Sequence, residues 1–248
     1  MTIAGSALVT GASRGLGAQI ARRLATDGWP VAVNYHSDAA GAERVVAGIV
    51  AAGGRAAAFR ADVTDEDAVE AMVAQVEAEL GPVQALVANA TGPQPLVPAE
   101  EVTWQHHLDQ LAFFVKSPTL LMRAALPGMR RLGTGRIVHI GSDSFERALP
   151  GASAYNAAKG AQIGLARTWA RELGRHGVTV NVVAPGWIPV ERHGVVTAED
   201  SAGYLADVPL GRMGTPEEIA DVVAFVASDA ARFITGERIT VNGGHTID

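Results

Sequence analysis

Short, almost unbroken apolar runs alternate with longer amphipathic stretches along the whole chain. The runs are Ala7-Leu8-Val9-Thr10, Val31-Ala32-Val33-Asn34, Ala56-Ala57-Ala58-Phe59, Ala85-Leu86-Val87-Ala88, Ile137-Val138-His139-Ile140, Val178-Thr179-Val180-Asn181-Val182-Val183 and Ile239-Thr240-Val241. Apolar runs without polar alternation predict strands covered on both faces, as in a parallel sheet. Ala56 to Ala58 alone read equally well as helix. Between the runs lie helix candidates near residues 15–27, 39–52, 65–80, 100–131, 153–175 and 216–228. The last is well signalled: Thr215 suits the N-cap, Pro216 the first helical position, and Glu218 completes a capping box. Ile219, Val222, Val223 and Val226 then share one face. Pro118 predicts a kink in the 100–131 helix. Trp187 to Met213 carries no clear pattern, and a stretch of that length in an α/β protein predicts a lid over a ligand, near 187–213.

Strand and helix in alternation, joined by short connections, predict βαβ crossovers and a doubly wound sheet. The expectation is an α/β fold with one domain over 1–248: a mostly seven-stranded parallel sheet flanked by helices. Composition narrows the function. The 248 residues contain no cysteine, which excludes disulfides, thiolate metal sites and cysteine nucleophiles. A net charge of −6 with seven scattered histidines argues against nucleic-acid binding, which needs a cationic surface. The N-terminus lacks the basic region and apolar run of a signal peptide, and no apolar stretch approaches a membrane span of ~20 residues. A cytoplasmic protein without nucleic-acid or membrane partners is expected. His106 and His107 are adjacent and would face different sides of a helix, so no metal site is predicted.

The candidate chemistry begins at Thr10-Gly11-Ala12-Ser13-Arg14-Gly15-Leu16-Gly17, between the first strand and the first helix. Glycines at G-x-x-x-G-x-G spacing let the backbone approach a pyrophosphate seated on a helix N-terminus. A carboxylate at the end of the second strand would bind the ribose of NAD and repel the 2′-phosphate of NADP. Here that strand ends Asn34-Tyr35-His36-Ser37, with no acid before Asp38, and Arg14 offers a cation; NADP(H) is favoured over NAD(H). Tyr155 and Lys159 are four apart in a helical stretch and share a face. A free phenol has a pKa near 10, and a nearby ammonium favours the phenolate. A shift of about three units corresponds to roughly 4 kcal/mol. Ser142 follows the strand ending at Ile140, at the sheet edge where such folds bind ligands, and its hydroxyl can polarise a carbonyl. Together these groups fit hydride transfer, with Tyr155 moving the proton.

With these pieces in place, the whole chain resembles the short-chain dehydrogenase/reductases, and among them the 3-oxoacyl-(acyl-carrier-protein) reductase branch. The resemblance rests on the glycine turn, Asp62-Val63, Asn89-Ala90, Ser142 thirteen residues before Tyr155, Lys159, Pro185-Gly186, Thr235-Gly236-Glu237 and Val241-Asn242-Gly243-Gly244. It implies a Rossmann-type domain with Ser142, Tyr155 and Lys159 as catalytic residues. It also implies that Asp62 and Val63 flank an adenine, that Asn89 and Ala90 lie along the cofactor, and that Lys159 holds the nicotinamide ribose. Pro185, Gly186 and Ile188 would line the carboxamide. With Gly11, Ser13, Arg14, Gly15, Leu16, Gly17, Asn34, Ser37 and Tyr155, these complete the expected cofactor set. The family is usually tetrameric, so a homotetramer is expected, a homodimer being the alternative.

Three departures stand out. Thr91 replaces a glycine, and Val190 replaces a threonine past the Pro-Gly turn. The family also carries an asparagine in the fourth major helix that organises a relay water near the lysine. Counting back from Leu126-Pro127 places that position at Phe114; counting forward from Trp104 gives Leu111; Gln110 is the nearest carboxamide. The favoured reading is NADPH-dependent reduction of a ketone to a secondary alcohol, a 3-oxoacyl thioester on a carrier protein being one candidate. The alternatives are NAD-dependent oxidation of a secondary alcohol and a dinucleotide-binding protein with little catalysis. Arg130, Arg131, Arg136 and Arg175 could form a basic patch for an acidic carrier, and Trp187, Tyr204 and Met213 could line or pack an apolar pocket under the lid.

Overall fold

The computed structural model describes residues 3–191, 194–195 and 197–247. Seven parallel strands form one sheet in the order β3-β2-β1-β4-β5-β6-β7. They are β1 (Ser6–Val9), β2 (Val31–Tyr35), β3 (Ala56–Arg60), β4 (Val83–Ala88), β5 (Gly135–Ile140), β6 (Val178–Pro185) and β7 (Arg238–Val241). The alanine run is a strand: Ala56 to Arg60 pairs in register with Val31 to Tyr35, so pairing with β2 decides what local propensity left open.

The inner runs, β1, β2, β4, β5 and β6, are continuous because both faces are covered, whereas the edge strands β3 and β7 are partly exposed. Ala7 and Val9 enter one core with α1 (Gly15–Thr26), α2 (Ala39–Ala51) and α9 (Pro216–Ala227). Leu8 points the other way, into a core with α3 (Glu66–Leu80), α5 (Ser117–Leu132) and α7 (Ser153–Leu173). The capping box of α9 forms as its sequence predicts: Glu218 N donates to Thr215 Oγ1 at 3.3 Å, and Thr215 N to Glu218 Oε2 at 2.9 Å. Arg212 lies 2.5 Å from the same carboxylate, which its hydrogen bond holds down to a pKa of about 2.

Two segments depart from expectation. The helix predicted over 100–131 is interrupted: α4 (Trp104–Leu111) runs into a π turn at Ala112–Lys116 before α5 begins. Pro118 has no N–H to give the Phe114 carbonyl in α register, and the widened turn accommodates the loss. The Thr119 hydroxyl donates to Val115 O at 2.7 Å there. The expected lid is not structureless, because α8 (Ala198–Ala206) lies within it; its residues Arg192, His193 and Val196 lie outside the described residues. Among the described residues no helix is long and apolar enough to cross a membrane.

The strand order reverses between β1 and β4. At such a switch point the loops leaving the two strands diverge and open a crevice above the carboxyl edge of the sheet.

Candidate active site

One cleft of about 800 Å³ lies in that crevice, and the loops after β1, β2, β3, β4, β5 and β6 border it. Every residue expected from the sequence to act in catalysis or to bind the cofactor borders it. Gly11, Ser13, Arg14, Gly15, Leu16 and Gly17 come from the first turn, Asn34 and Ser37 from the end of β2, and Asp62 and Val63 from beyond β3. Asn89 and Ala90 follow β4; Ser142, Tyr155, Lys159, Pro185, Gly186 and Ile188 form the other end.

The first turn is built by side chains that reach it from neighbouring strands. Asn34 is nearly fully buried; its Oδ1 accepts from Gly11 N at 3.1 Å, and its Nδ2 donates to Ala61 O at 3.2 Å. Asn89 Nδ2 donates to Thr10 O at 2.8 Å, while Thr10 Oγ1 accepts from the backbone of Asn89 and Ala90 at 3.0 and 3.1 Å. Asn34 and Asn89 therefore shape the turn through their side chains, as well as bordering the cleft. Gly11 and Gly15 adopt φ of 61° and 57°, where a side chain is strained. A Cβ on Gly17 would sit 2.5 Å from both Asn89 Nδ2 and Gly11 O. The N-cap of α1 is Arg14, with no side-chain cap and no acid in the first turn. The N-terminus of that helix borders the cleft, where the Glu191 carboxylate lies 3.4 Å from the place a Cβ of Gly15 would take; the unpaired N–H groups of a helix start are suited to phosphate.

At the β2 end the carboxylate of Asp38 is turned into its own helix, accepting from Gly41 N at 2.9 Å as the cap of α2. Asp62 accepts from Thr64 N and Oγ1 at 2.8 and 2.7 Å. Burial pushes its carboxyl up, but those bonds and the nearby His36 and Lys116 outweigh it and hold the pKa below the usual range.

At the opposite end Ser142 sits just past β5, its Oγ accepting from Ser144 N at 3.1 Å. Ser144 bonds Asn156 at 2.8 Å, tying α6 (Ser144–Arg147) to the start of α7. Lys159 is buried, and its Nζ donates to Ile140 O at 2.7 Å and Gln162 Oε1 at 3.2 Å. The amine lies 3.7 Å from the centroid of the Phe114 ring and 5.4 Å from that of Tyr155. Phe114 meets Tyr155 edge to face at 5.4 Å. Of the three residues weighed for the missing asparagine, Phe114 stands beside the lysine. Gln110 faces elsewhere and donates to Pro93 O at 2.8 Å.

Several groups escaped sequence reasoning. Gln162 lies one turn beyond Lys159 on the same helix face, a spacing that could have marked it. His139, inside an apolar strand, is fully buried with no hydrogen-bond partner for either ring nitrogen among the described residues. Burial, and secondarily the Lys159 charge, lower its pKa to about 4. Asp143, also buried, lies 3.2 Å from His245 Nδ1 and accepts from Asn242 at 3.3 Å, so the segment after β7 holds this cleft residue from behind. Trp187 borders the cleft; Tyr204 lies behind it, its hydroxyl accepting from Trp187 N at 2.9 Å. Burial pushes that phenol up. Of the four arginines considered for a basic patch, Arg136 is buried beside Asp229 at 3.2 Å and Arg131 pairs with Glu77 at 2.8 Å, while Arg130 and Arg175 are exposed. His106 completes the N-cap of α4, its Nδ1 accepting from Thr103 N at 3.0 Å, and His107 stacks on Trp104.

Comparison with known proteins extends this picture. A family model described as enoyl-(acyl carrier protein) reductase matches residues 11–246. The 3-oxoacyl-(acyl-carrier-protein) reductase of Staphylococcus aureus is 41% identical over 246 residues, covering 98% of this chain and 99% of that one. A double mutant of a Serratia marcescens short-chain dehydrogenase/reductase superposes with a TM-score of 0.91 at 36% identity, covering 99% of each chain. A blue fluorescent protein from a metagenomic library, solved in complex with NADPH, gives 0.90 at 39% identity over 98% of each.

Proposed function

Because the chain belongs to the short-chain dehydrogenase/reductase family, we propose that it reduces a ketone to a secondary alcohol with NADPH, a 3-oxoacyl thioester being the leading substrate class. One observation carries this reading: Ser142, Tyr155 and the buried amine of Lys159 open onto the same cleft as the glycine turn.

The cleft fits a dinucleotide by its own features. The first turn leaves no room for a Cβ at Gly17 and presents the N-terminus of α1. Ser13, Gly15, Leu16 and Arg14 would hold the phosphates; Asp62, Val63, Asn89 and Ala90 the adenosine side; Lys159, Pro185, Gly186 and Ile188 the nicotinamide end. When bound, the cofactor supplies the hydride. The preference for NADPH rests on Asp38 being turned into the cap of α2, with Arg14 from the first turn and His36 and Ser37 from the end of β2 bordering the cleft.

The chain's own residues do the rest. Ser142 Oγ donates a hydrogen bond to the substrate carbonyl and stabilises the negative charge that grows on its oxygen. Tyr155 gives its phenolic proton to that oxygen as it becomes an alcohol. The ammonium of Lys159, behind the phenol ring, favours the phenolate left behind and so eases the transfer. Trp187 and Leu96 add apolar surface to the border of the cleft.

The experiment is NADPH oxidation with a panel of ketones and 3-oxoacyl thioesters, comparing wild type with Tyr155→Phe. Turnover by the wild type and its loss in the variant, with NADPH binding retained, is the expected result. Equal inactivity of both proteins refutes the reading, and tight NADPH binding alongside it would favour a dinucleotide-binding protein.

A further inference from the structure

A buried ammonium must find acceptors within the protein, because it has left its water behind. Lys159 finds them on two elements: the Ile140 carbonyl at the end of β5 and the Gln162 amide oxygen on α7. A third element, the π turn, covers the amine with the face of Phe114. The negative face of an aromatic ring attracts a cation held this close. The same ring meets Tyr155 edge-on, so one aromatic group fixes both the phenol and the charge behind it.

Gln162 is the informative member. It is 1% exposed and neighbours the apolar core of α7, where Ala158, Ala166 and Trp169 are also buried. A carboxamide there is unfavourable unless it is hydrogen-bonded, and its oxygen is bonded to Nζ. Phe114 fills the flank of the amine on the side of the α4–α5 helix, where the family's asparagine would orient a water.

We infer that Gln162 is a positioning residue for proton transfer: with Phe114 it fixes the Lys159 ammonium behind Tyr155 through direct contacts instead of through a helix-bound water. The inference deepens the proposed reaction and rests on Tyr155 acting in it. Of the charged and titratable groups bordering the cleft, Lys159 shares the phenol's helix, Asp143 follows β5 and Arg147 lies on α6, while Arg14, His36, Asp38, Asp62 and Glu191 border it from the other loops. His139 on β5 lies behind Lys159. Gln162 is uncharged, so removing its oxygen changes the aim of the ammonium without changing the net charge.

The test reads Tyr155 directly. The chain has three tyrosines, so subtracting the ultraviolet pH titration of a Tyr155→Phe protein from that of its parent isolates one phenolate. Gln162→Met keeps the side-chain length and removes the acceptor. An amine released from 5.4 Å to about 8 Å from the ring attracts the phenolate less, and the titration midpoint should rise by about half a unit or more. The pH at which kcat/KM for ketone reduction falls should rise with it. Phe114→Leu, which stays apolar but loses the ring face, should move the midpoint the same way and serves if Gln162→Met does not fold. An unmoved midpoint in folded variants, with or without a uniform loss of turnover, is what simple packing gives and overturns the inference. Absence of turnover in the wild type would overturn the reaction class while leaving the titration readable.

Discussion

His139 gives the sharpest quantitative expectation. It lies on β5 between the sheet and α7, fully buried, 5.6 Å from the Trp169 ring, with neither ring nitrogen hydrogen-bonded among the described residues. Burial first, and the neighbouring Lys159 charge second, lower its pKa from 6.5 to about 4. Above about pH 6.5 the imidazole is neutral in both folded and unfolded chains and has no effect on the pH dependence. As the pH falls from 6.5 toward 4 the unfolded chain takes up the proton first, so folding stability declines; below about 4 both states are protonated and the loss levels off. A difference of this size corresponds to roughly 3 kcal/mol, a large fraction of a typical stability. Urea unfolding at fixed protein concentration across that range measures it, since the midpoint falls with stability while the slope stays constant. His139→Leu removes the titrating group and two unpartnered nitrogens, so its stability should change much less over the same interval and match or exceed wild type near neutral pH. Carboxylates held low in the fold, such as Glu218, titrate alike in both proteins and cancel in the difference. If the two proteins lose stability in parallel between pH 6.5 and 4, the imidazole is solvated or partnered in solution and the reasoning fails.

Two further expectations concern the cofactor end. Gly17→Ala places a methyl 2.5 Å from Asn89 Nδ2 and Gly11 O; relieving that overlap should cost about 1–3 kcal/mol of stability and abolish NADPH binding, and a variant that binds NADPH normally would contradict the turn geometry. Arg14→Ala should weaken NADPH by about tenfold or more, the worth of one charge-assisted contact, with little effect on NADH; equal losses measured by fluorescence titration would remove Arg14 as the basis of cofactor preference.

How much of this was legible in the sequence follows from which interactions are local. The five inner strands, β1, β2, β4, β5 and β6, can be read because burial on both faces leaves unbroken apolar runs, and the start of α9 because Thr215, Pro216 and Glu218 act within one turn; the edge strands β3 and β7 are only partly buried. The glycine turn was legible for a similar reason: φ and the lack of room for a Cβ are properties of the residue itself. The π turn was not, because hydrophobic spacing reports which face is buried and not which carbonyl each N–H reaches; Pro118 marked the disturbance but not its form. The sequence marks Asn34 and Asn89 as neighbours of a cofactor, and both border the cleft; that their side chains also bind backbone of adjoining segments depends on a register that no local pattern encodes. Arg136 resembled a surface charge until Asp229, far along the chain, was seen to partner it.

The amine of Lys159 shows where these limits meet function. Its spacing from Tyr155 is written in one helix, but what holds it is assembled from β5, the π turn and the next turn of α7. A phenol and an ammonium can be placed on the same helix face by sequence alone; a proton donor matched to its task also needs the charge fixed in distance. That second requirement is tertiary. On the proposed reaction, a substitution at Gln162, marked in the sequence only by its spacing from Lys159, should therefore change the acidity of Tyr155 while leaving the glycine turn, Ser142, Tyr155 and Lys159 intact.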